Sequence, residues 1–249
     1  MSNVVKCELK EGIYSVTMNR PDKKNAINLE MYLKLKEAIN FADENDNVKT
    51  ILLSGEGGCF TSGNDLSDFL NFPEDIEKNP AMQFISAIAN AKKPIIASVE
   101  GLAIGIGVTM ILHCDIVVAS KNTVFQMPFV NLGLCPEAGS TFLLPLFVGY
   151  QNAAKLTLLA ESFTAEEAYN LGIVNFLVEE NELKNFSLGI ATKVVEKPSK
   201  AVLTTKALLK AGFKAQLSQM AEEESKAFLA MLKTKEVSDN IRAFLSKKK

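Results

Sequence analysis

The chain has 249 residues, 47% of them apolar and 22% charged, with a formal net charge of −2. That balance suits a folded protein with a sizeable core, and it excludes a disordered chain and a nucleic-acid binder held by a broad basic field. A single histidine, His113, and four cysteines without C-x-x-C spacing exclude a His-rich metal cage and a paired-cysteine zinc or redox motif.

Val4–Lys10 and Ile13–Met18 alternate in part around Glu11-Gly12 and predict a hairpin, which Arg20-Pro21-Asp22 ends. Met31, Leu35, Ile39 and Ala42 then recur at helical spacing and predict a helix over Leu29–Glu44, with Asn28 as its N-cap. Val48–Ser54 reads as a strand closed by Gly55-Glu56-Gly57-Gly58, and Met82–Ala91 as a helix. Pro94–Val99 is strand-like, Gly107–His113 helical, and Asp115–Ala119 and Thr123–Phe125 are further short strands. Helices follow over Gly139–Leu146, Gln151–Ala160, Ala165–Leu171, Asn181–Glu196, Ser199–Gly212 and Gln216 to about Lys233.

Short strands alternating with helices predict an α/β core with crossover connections. The all-helical end predicts a division into a core over 1–195 and a helical module over 196–249. No apolar run reaches the roughly 18–20 residues that span a bilayer, so no membrane partner is expected. The opening Met1-Ser2-Asn3-Val4-Val5-Lys6-Cys7 has no apolar leader core, and a cytoplasmic location is the expectation. Cys7, Cys59, Cys114 and Cys135 read as small core residues in a reducing compartment. His113, inside the apolar run 111–118, reads as packed and hydrogen-bonded, which leaves carboxylates and backbone groups to carry any chemistry. Lys247-Lys248-Lys249 reads as a solvated helix end, with a phosphate contact as the sharper alternative.

Three segments could hold a ligand. In the second, Gly105-Ile106-Gly107-Val108-Thr109-Met110 supplies only two of the glycines of a dinucleotide fingerprint, and no P-loop occurs. The first, Cys59–Leu66, and the second, Gly101–Thr109, are turns at strand ends that lead into helices. Such glycines either allow tight turns alone or leave backbone N–H groups free to bind an anionic oxygen. The third, Asn131–Thr141, contains Pro136-Glu137. Glu137 reads either as a helix-start acid or, among Leu134, Cys135, Phe142 and Leu143, as a carboxylate whose pKa is pushed up by an apolar pocket.

The ordered set of motifs resembles the crotonase (enoyl-CoA hydratase/isomerase) superfamily. It runs from Met18-Asn19-Arg20-Pro21 and Lys24–Asn28 through Ser62–Leu66, Lys93–Ala97 and Gly101–Gly107 with Cys114-Asp115. It continues to Phe125–Pro128, Leu132-Gly133, Thr164–Ala168 and Gly172–Val174. The resemblance implies a spiral of ββα units and a C-terminal helical trimerisation module. It implies an acyl-CoA thioester substrate, no separate cofactor, no metal, and a homotrimer or dimer of trimers. By position, the backbone N–H groups of Asn64 and Ile106 become the oxyanion donors. Lys24, Ala26, Ser62, Gly63, Asp65 and Leu66 become substrate-binding. Lys23 and Lys24 are either contacts to CoA phosphates or solvated loop charges, and Phe69 to Pro80 is expected to wall the acyl channel.

Hydratases of the family use two glutamates, and Thr109 and Phe129 stand at those places here. Glu137 stands at the place used by Δ3,Δ2-enoyl-CoA isomerases, with the peroxisomal type most similar. The implied activity is a double-bond shift in fatty acid oxidation. Hydration, another crotonase-type reaction, or a silent acyl-CoA-binding subunit are the alternatives.

Overall fold

The computed structural model describes residues 4–69 and 79–246. Phe69–Pro80, the expected channel wall, falls for the most part outside the described residues, as does Lys247-Lys248-Lys249. The chain begins with the strands β1 (Val5–Lys10) and β2 (Ile13–Met18), paired antiparallel in the register Val5↔Met18. Their connection is a two-residue turn with φ of 51° at Glu11 and 82° at Gly12, the doubly left-handed form whose twist suits a hairpin. Helix α1 (Leu29–Glu44) starts where Asn28 accepts from the Met31 N–H at 2.9 Å, and it buries Met31, Tyr32, Leu35, Ala38, Ile39 and Ala42.

β3 (Thr50–Gly55) leads to α2 (Leu66–Phe69) and α3 (Pro80–Asn90). β4 (Ile95–Val99), β5 (Leu102–Ile104) and α4 (Ile106–Ile111) form the next turn of chain, and β6 (Ile116–Ser120) and β7 (Val124–Gln126) the one after. α5 (Ser140–Val148), α6 (Tyr150–Leu158), β8 (Ser162–Thr164), α7 (Ala165–Asn170), β9 (Phe176–Val178) and α8 (Leu183–Val195) follow. The chain closes with α9 (Ser199–Ala211), α10 (Lys214–Leu232) and α11 (Lys235–Ser246).

One sheet has the order β1-β2-β3-β4-β6-β9 and is parallel except at β1; a second has the order β5-β7-β8. The chain steps from the large sheet to the small one between β4 and β5, and again between β6 and β7. A bridge between Thr61 and Ala103 adds the segment after β3 to the same stack. Each step therefore lays one strand-end turn beside the previous one. β4 and α4 are buried along their whole length, which is why their sequences are mostly apolar, with Ser98 and Thr109 as buried polar members. Among the described residues, no helix is long and apolar enough to cross a membrane.

Several expectations need correction. β5, β8 and β9 have three residues each, too few to show alternation, and α2 and α11 also lay outside the predicted elements. Cys7 is exposed on β1 and not a core residue; its neighbours Lys6 and Glu8 are exposed with it, because this edge strand turns only Val5 inward. Glu137 is not in the first turn of a helix: α5 begins three residues later, after left-handed Ala138 and Gly139.

Candidate active site

Two turns lie against each other at the centre of the stack. Thr61 N–H donates to Leu102 O at 2.8 Å, and Ile104 N–H donates to Thr61 O at 3.2 Å. The packing is close enough to demand glycine twice. A Cβ on Gly63, whose φ is +93°, would sit 2.8 Å from Ile104 O, and one on Gly107 would sit 2.7 Å from Thr61 Cγ2. Gly105 (φ +56°) turns the chain into α4 and anchors its own N–H on Gln126 O at 2.8 Å.

The next residue after each turn is the expected donor. Ile27 bridges Asn64 in parallel fashion, with Ile27 N–H on Gly63 O and Asp65 N–H on Ile27 O, so the bonds flank the Asn64 amide. Ile106 is the first residue of α4, where an N–H has no carbonyl four residues behind it. Among the described residues, neither the Asn64 nor the Ile106 N–H has an acceptor.

Glu137 reaches the same place from another element. It is buried at 4% exposure, and its Oε1 accepts from Thr109 Oγ1 at 2.6 Å. Thr109 lies one turn along α4 from Ile106 and also approaches Ile106 O at 3.4 Å. Burial pushes the Glu137 carboxyl up from 4.5 to about 8; the Thr109 hydroxyl pulls it back in part, and the charge of Glu224 pushes it further. The apolar-pocket reading of this acid is the one the geometry supports. His113 is packed and hydrogen-bonded, as its context suggested. Its Nε2–H donates to Ala138 O at 2.7 Å, and burial lowers its pKa to about 4, so the ring is neutral.

Tyr32 closes the circuit. Its hydroxyl donates to Asn64 Oδ1, and its ionisation is pushed well above the usual phenol range by burial and by the charges of Glu137 and Asp68. Asn64, Tyr32, Glu137, Thr109 and Ile106 therefore form one group of neighbours.

The remaining expected residues bond within the turn. Asp65 pairs with Arg20 Nη1 at 3.1 Å and accepts from Ser67 Oγ at 2.7 Å. Ala26 O takes the same guanidinium at 2.5 Å, and Ser62 N–H donates to Lys24 O at 2.9 Å. Leu66 is half-buried against the core, and the Lys23 and Lys24 side chains are exposed. Phe129 is buried, with its Cζ 3.9 Å from where a Gly105 Cβ would be. An apolar ring thus stands beside the turn, at the place the resemblance compares with a hydratase glutamate.

Two contributors are absent from the sequence reading. Tyr32 sits on the apolar stripe of α1, where a buried phenol calls for a polar neighbour. Glu224 sits in an acidic run on α10, but Leu217, Glu224 and Phe228 share the buried stripe of that helix. That periodicity was the available signal. Among the described residues, no group of three or more His, Cys, Asp or Glu side chains is placed to hold a metal.

Comparison with known proteins gives the family. The enoyl-CoA hydratase/isomerase family model matches residues 8–249. The peroxisomal enoyl-CoA delta isomerase 3 of Mus musculus is 33% identical over 96% of this chain and 77% of its own length. The short-chain-enoyl-CoA hydratase of Clostridium acetobutylicum is also 33% identical, over 96% of this chain and 94% of its own. The structure of OdaA from Pseudomonas aeruginosa superposes with a TM-score of 0.95 at 37% identity, covering 98% of this chain and 99% of that one. Isomerases and hydratases are thus equally similar in overall sequence.

Proposed function

We infer, from the premise that this chain belongs to the enoyl-CoA hydratase/isomerase family, that it is a Δ3,Δ2-enoyl-CoA isomerase working with one carboxylate and two backbone donors. The observation that carries this reading is the buried Glu137, bonded to a threonine at the first hydratase position, with a phenylalanine at the second.

The protons at C2 of a 3-enoyl thioester are acidic because the anion spreads into the thioester and the C3–C4 alkene. Glu137 Oε2 takes a C2 proton, breaking the C–H bond. The electron pair moves into a dienolate whose oxygen accepts from the Asn64 and Ile106 N–H groups. Removing one donor of such a pair typically costs about 3 kcal/mol of barrier. Protonated Glu137 returns the proton to C4, giving the 2-trans-enoyl thioester. A carboxyl with a pKa of about 8 suits both halves, because it binds a proton firmly enough to take it and loosely enough to return it. Thr109 occupies Oε1, which leaves Oε2 for the substrate. CoA enters as part of the substrate.

Hydration needs a water held and activated between two acids, and neither the Thr109 hydroxyl nor the Phe129 ring takes a proton from water. Product analysis decides between the reactions. Wild type converts 3-enoyl-CoA to 2-enoyl-CoA, and Glu137→Gln does not. Water addition to 2-enoyl-CoA at a rate that survives Glu137→Gln would overturn the assignment. Tight CoA binding without turnover of any enoyl thioester would favour a silent binder instead. A homotrimer or dimer of trimers is part of the same proposal, supported by exposed apolar side chains such as Leu208 and Leu209 on α9 and tested by light scattering.

A further inference from the structure

We propose that Glu224, reaching from α10 onto the backbone of residues 139–141, is a positioning residue for the Glu137 carboxylate. This rests on the reading of Glu137 as the proton-transfer group.

Glu137 opens a tight turn, closed by the Ser140 N–H on Glu137 O at 3.2 Å. Ala138 and Gly139 are consecutive left-handed residues with φ of 64° and 68°, and an alanine pays a strain penalty there. Three contacts over-determine the turn. His113 holds Ala138 O from α4's side, Thr109 holds the Glu137 carboxyl, and Glu224 holds the far end. Glu224 Oε2 accepts from Gly139 N–H at 2.6 Å, and its Oε1 accepts from Thr141 N–H at 2.8 Å and Thr141 Oγ1 at 2.5 Å. It therefore satisfies N–H groups at the start of α5 that have no intrahelical acceptor. Leu217, two turns earlier on α10, presses on the same turn: a Gly139 Cβ would meet Leu217 Cδ1 at 2.3 Å.

The contact is also electrostatic. Glu224 is 4% exposed: burial pushes its carboxyl above the usual range and its three donors pull it back in part, and in its ionised form it puts a negative charge near Glu137. That charge makes Glu137 harder to ionise. The other groups facing Glu137 are the Thr109 hydroxyl of α4, the Tyr32 phenol of α1 and the Cys135 thiol of its own loop; neutral His113 lies behind Ala138, and Asp68 of α2 acts on Tyr32. Glu224 is the acidic side chain among these whose charge raises Glu137, and it comes from the C-terminal helices. Docking of α10 is thereby coupled to the readiness of the base.

The test uses the full chain labelled with carboxyl-13C glutamate, with the Glu137 signal assigned from its loss in Glu137→Gln. Glu224→Gln keeps the size and removes the charge; its amide oxygen still accepts from Thr141, while its NH2 replaces the acceptor of the Gly139 N–H. The Glu137 titration is then expected to move down by on the order of half a pH unit or more. Glu224→Ala is expected to lower kcat for 3-enoyl-CoA by about 10-fold or more, with KM within about twofold, because the base is displaced and the thioester is still bound. A purely structural cap would lower the melting temperature and leave the Glu137 titration and kcat unchanged; that result overturns the proposal. If the alanine variant does not fold, the glutamine titration decides alone. Loss of the isomerase reading is separately visible, because wild type would then fail to convert 3-enoyl-CoA while the Glu137 signal still moved in Glu224→Gln.

Discussion

Replacing Glu137 by glutamine is expected to move activity and stability in opposite directions. Glutamine is nearly the same size and keeps an oxygen for the Thr109 hydroxyl, so the fold loses no hydrogen bond there. What disappears is a buried carboxyl that is costly to ionise. A carboxyl at 4.5 in the unfolded chain and about 8 in the folded one binds its proton more tightly when folded. Below pH 4.5 both states are protonated and the group has no effect. As pH rises towards 8, the unfolded chain releases the proton first, so stability falls. At about 1.4 kcal/mol per pH unit, the loss between pH 5 and pH 8 is roughly 3–4 kcal/mol. Denaturant unfolding of wild type and Glu137→Gln across that range isolates this contribution, since every other titrating group is common to both. The stability gap in favour of the glutamine variant is expected to widen steadily up to about pH 8. Over the same variant, kcat for 3-enoyl-CoA is expected to fall by about 10²–10⁴-fold, the usual worth of a positioned proton-transfer group. A gap that stays flat with pH would refute the buried-charge argument. Undiminished turnover would refute the catalytic one.

Thr109→Val removes the hydroxyl that favours ionised Glu137, so the midpoint of the kcat/KM pH profile is expected to rise by about one pH unit. A pH-rate series reads this directly. Gly63→Ala places a side chain at φ +93° and 2.8 Å from Ile104 O, and urea unfolding is expected to show a loss of about 2 kcal/mol or more. Tyr32→Phe leaves Asn64 Oδ1 without its donor and is expected to cost about 1–2 kcal/mol in the same assay.

Most of the frame is written in local pattern. Asn28 before the Met31, Leu35, Ile39 stripe announces α1, and the partial alternation on either side of Glu11-Gly12 announces the first hairpin. Glu137 is legible in part: its apolar neighbours allow a buried carboxylate as well as a helix-start acid, and the fold buries it ahead of α5. Three-residue strands such as β5 are not legible, because a period of two needs more length than they have. Tyr32 and Glu224 are harder still. Each acts across the chain, Tyr32 on Asn64 and Glu224 on Gly139 and Thr141, and only the stacking of successive turns brings those partners together. Arg20 and Asp65 show the same limit. The resemblance implies a ligand contact for Asp65, while its carboxylate is engaged by the guanidinium that also grips Ala26 O.

The most direct test of proton transfer by one carboxylate is an isotope measurement. Wild type is given 3-enoyl-CoA carrying deuterium at C2 in ordinary water, and the 2-enoyl product is analysed for label at C4 by mass spectrometry. A single acid, Glu137, that takes the deuteron and returns it predicts a substantial fraction of product labelled at C4. Product whose C4 hydrogen comes entirely from solvent, or a 3-hydroxyacyl product in place of the alkene, would contradict it.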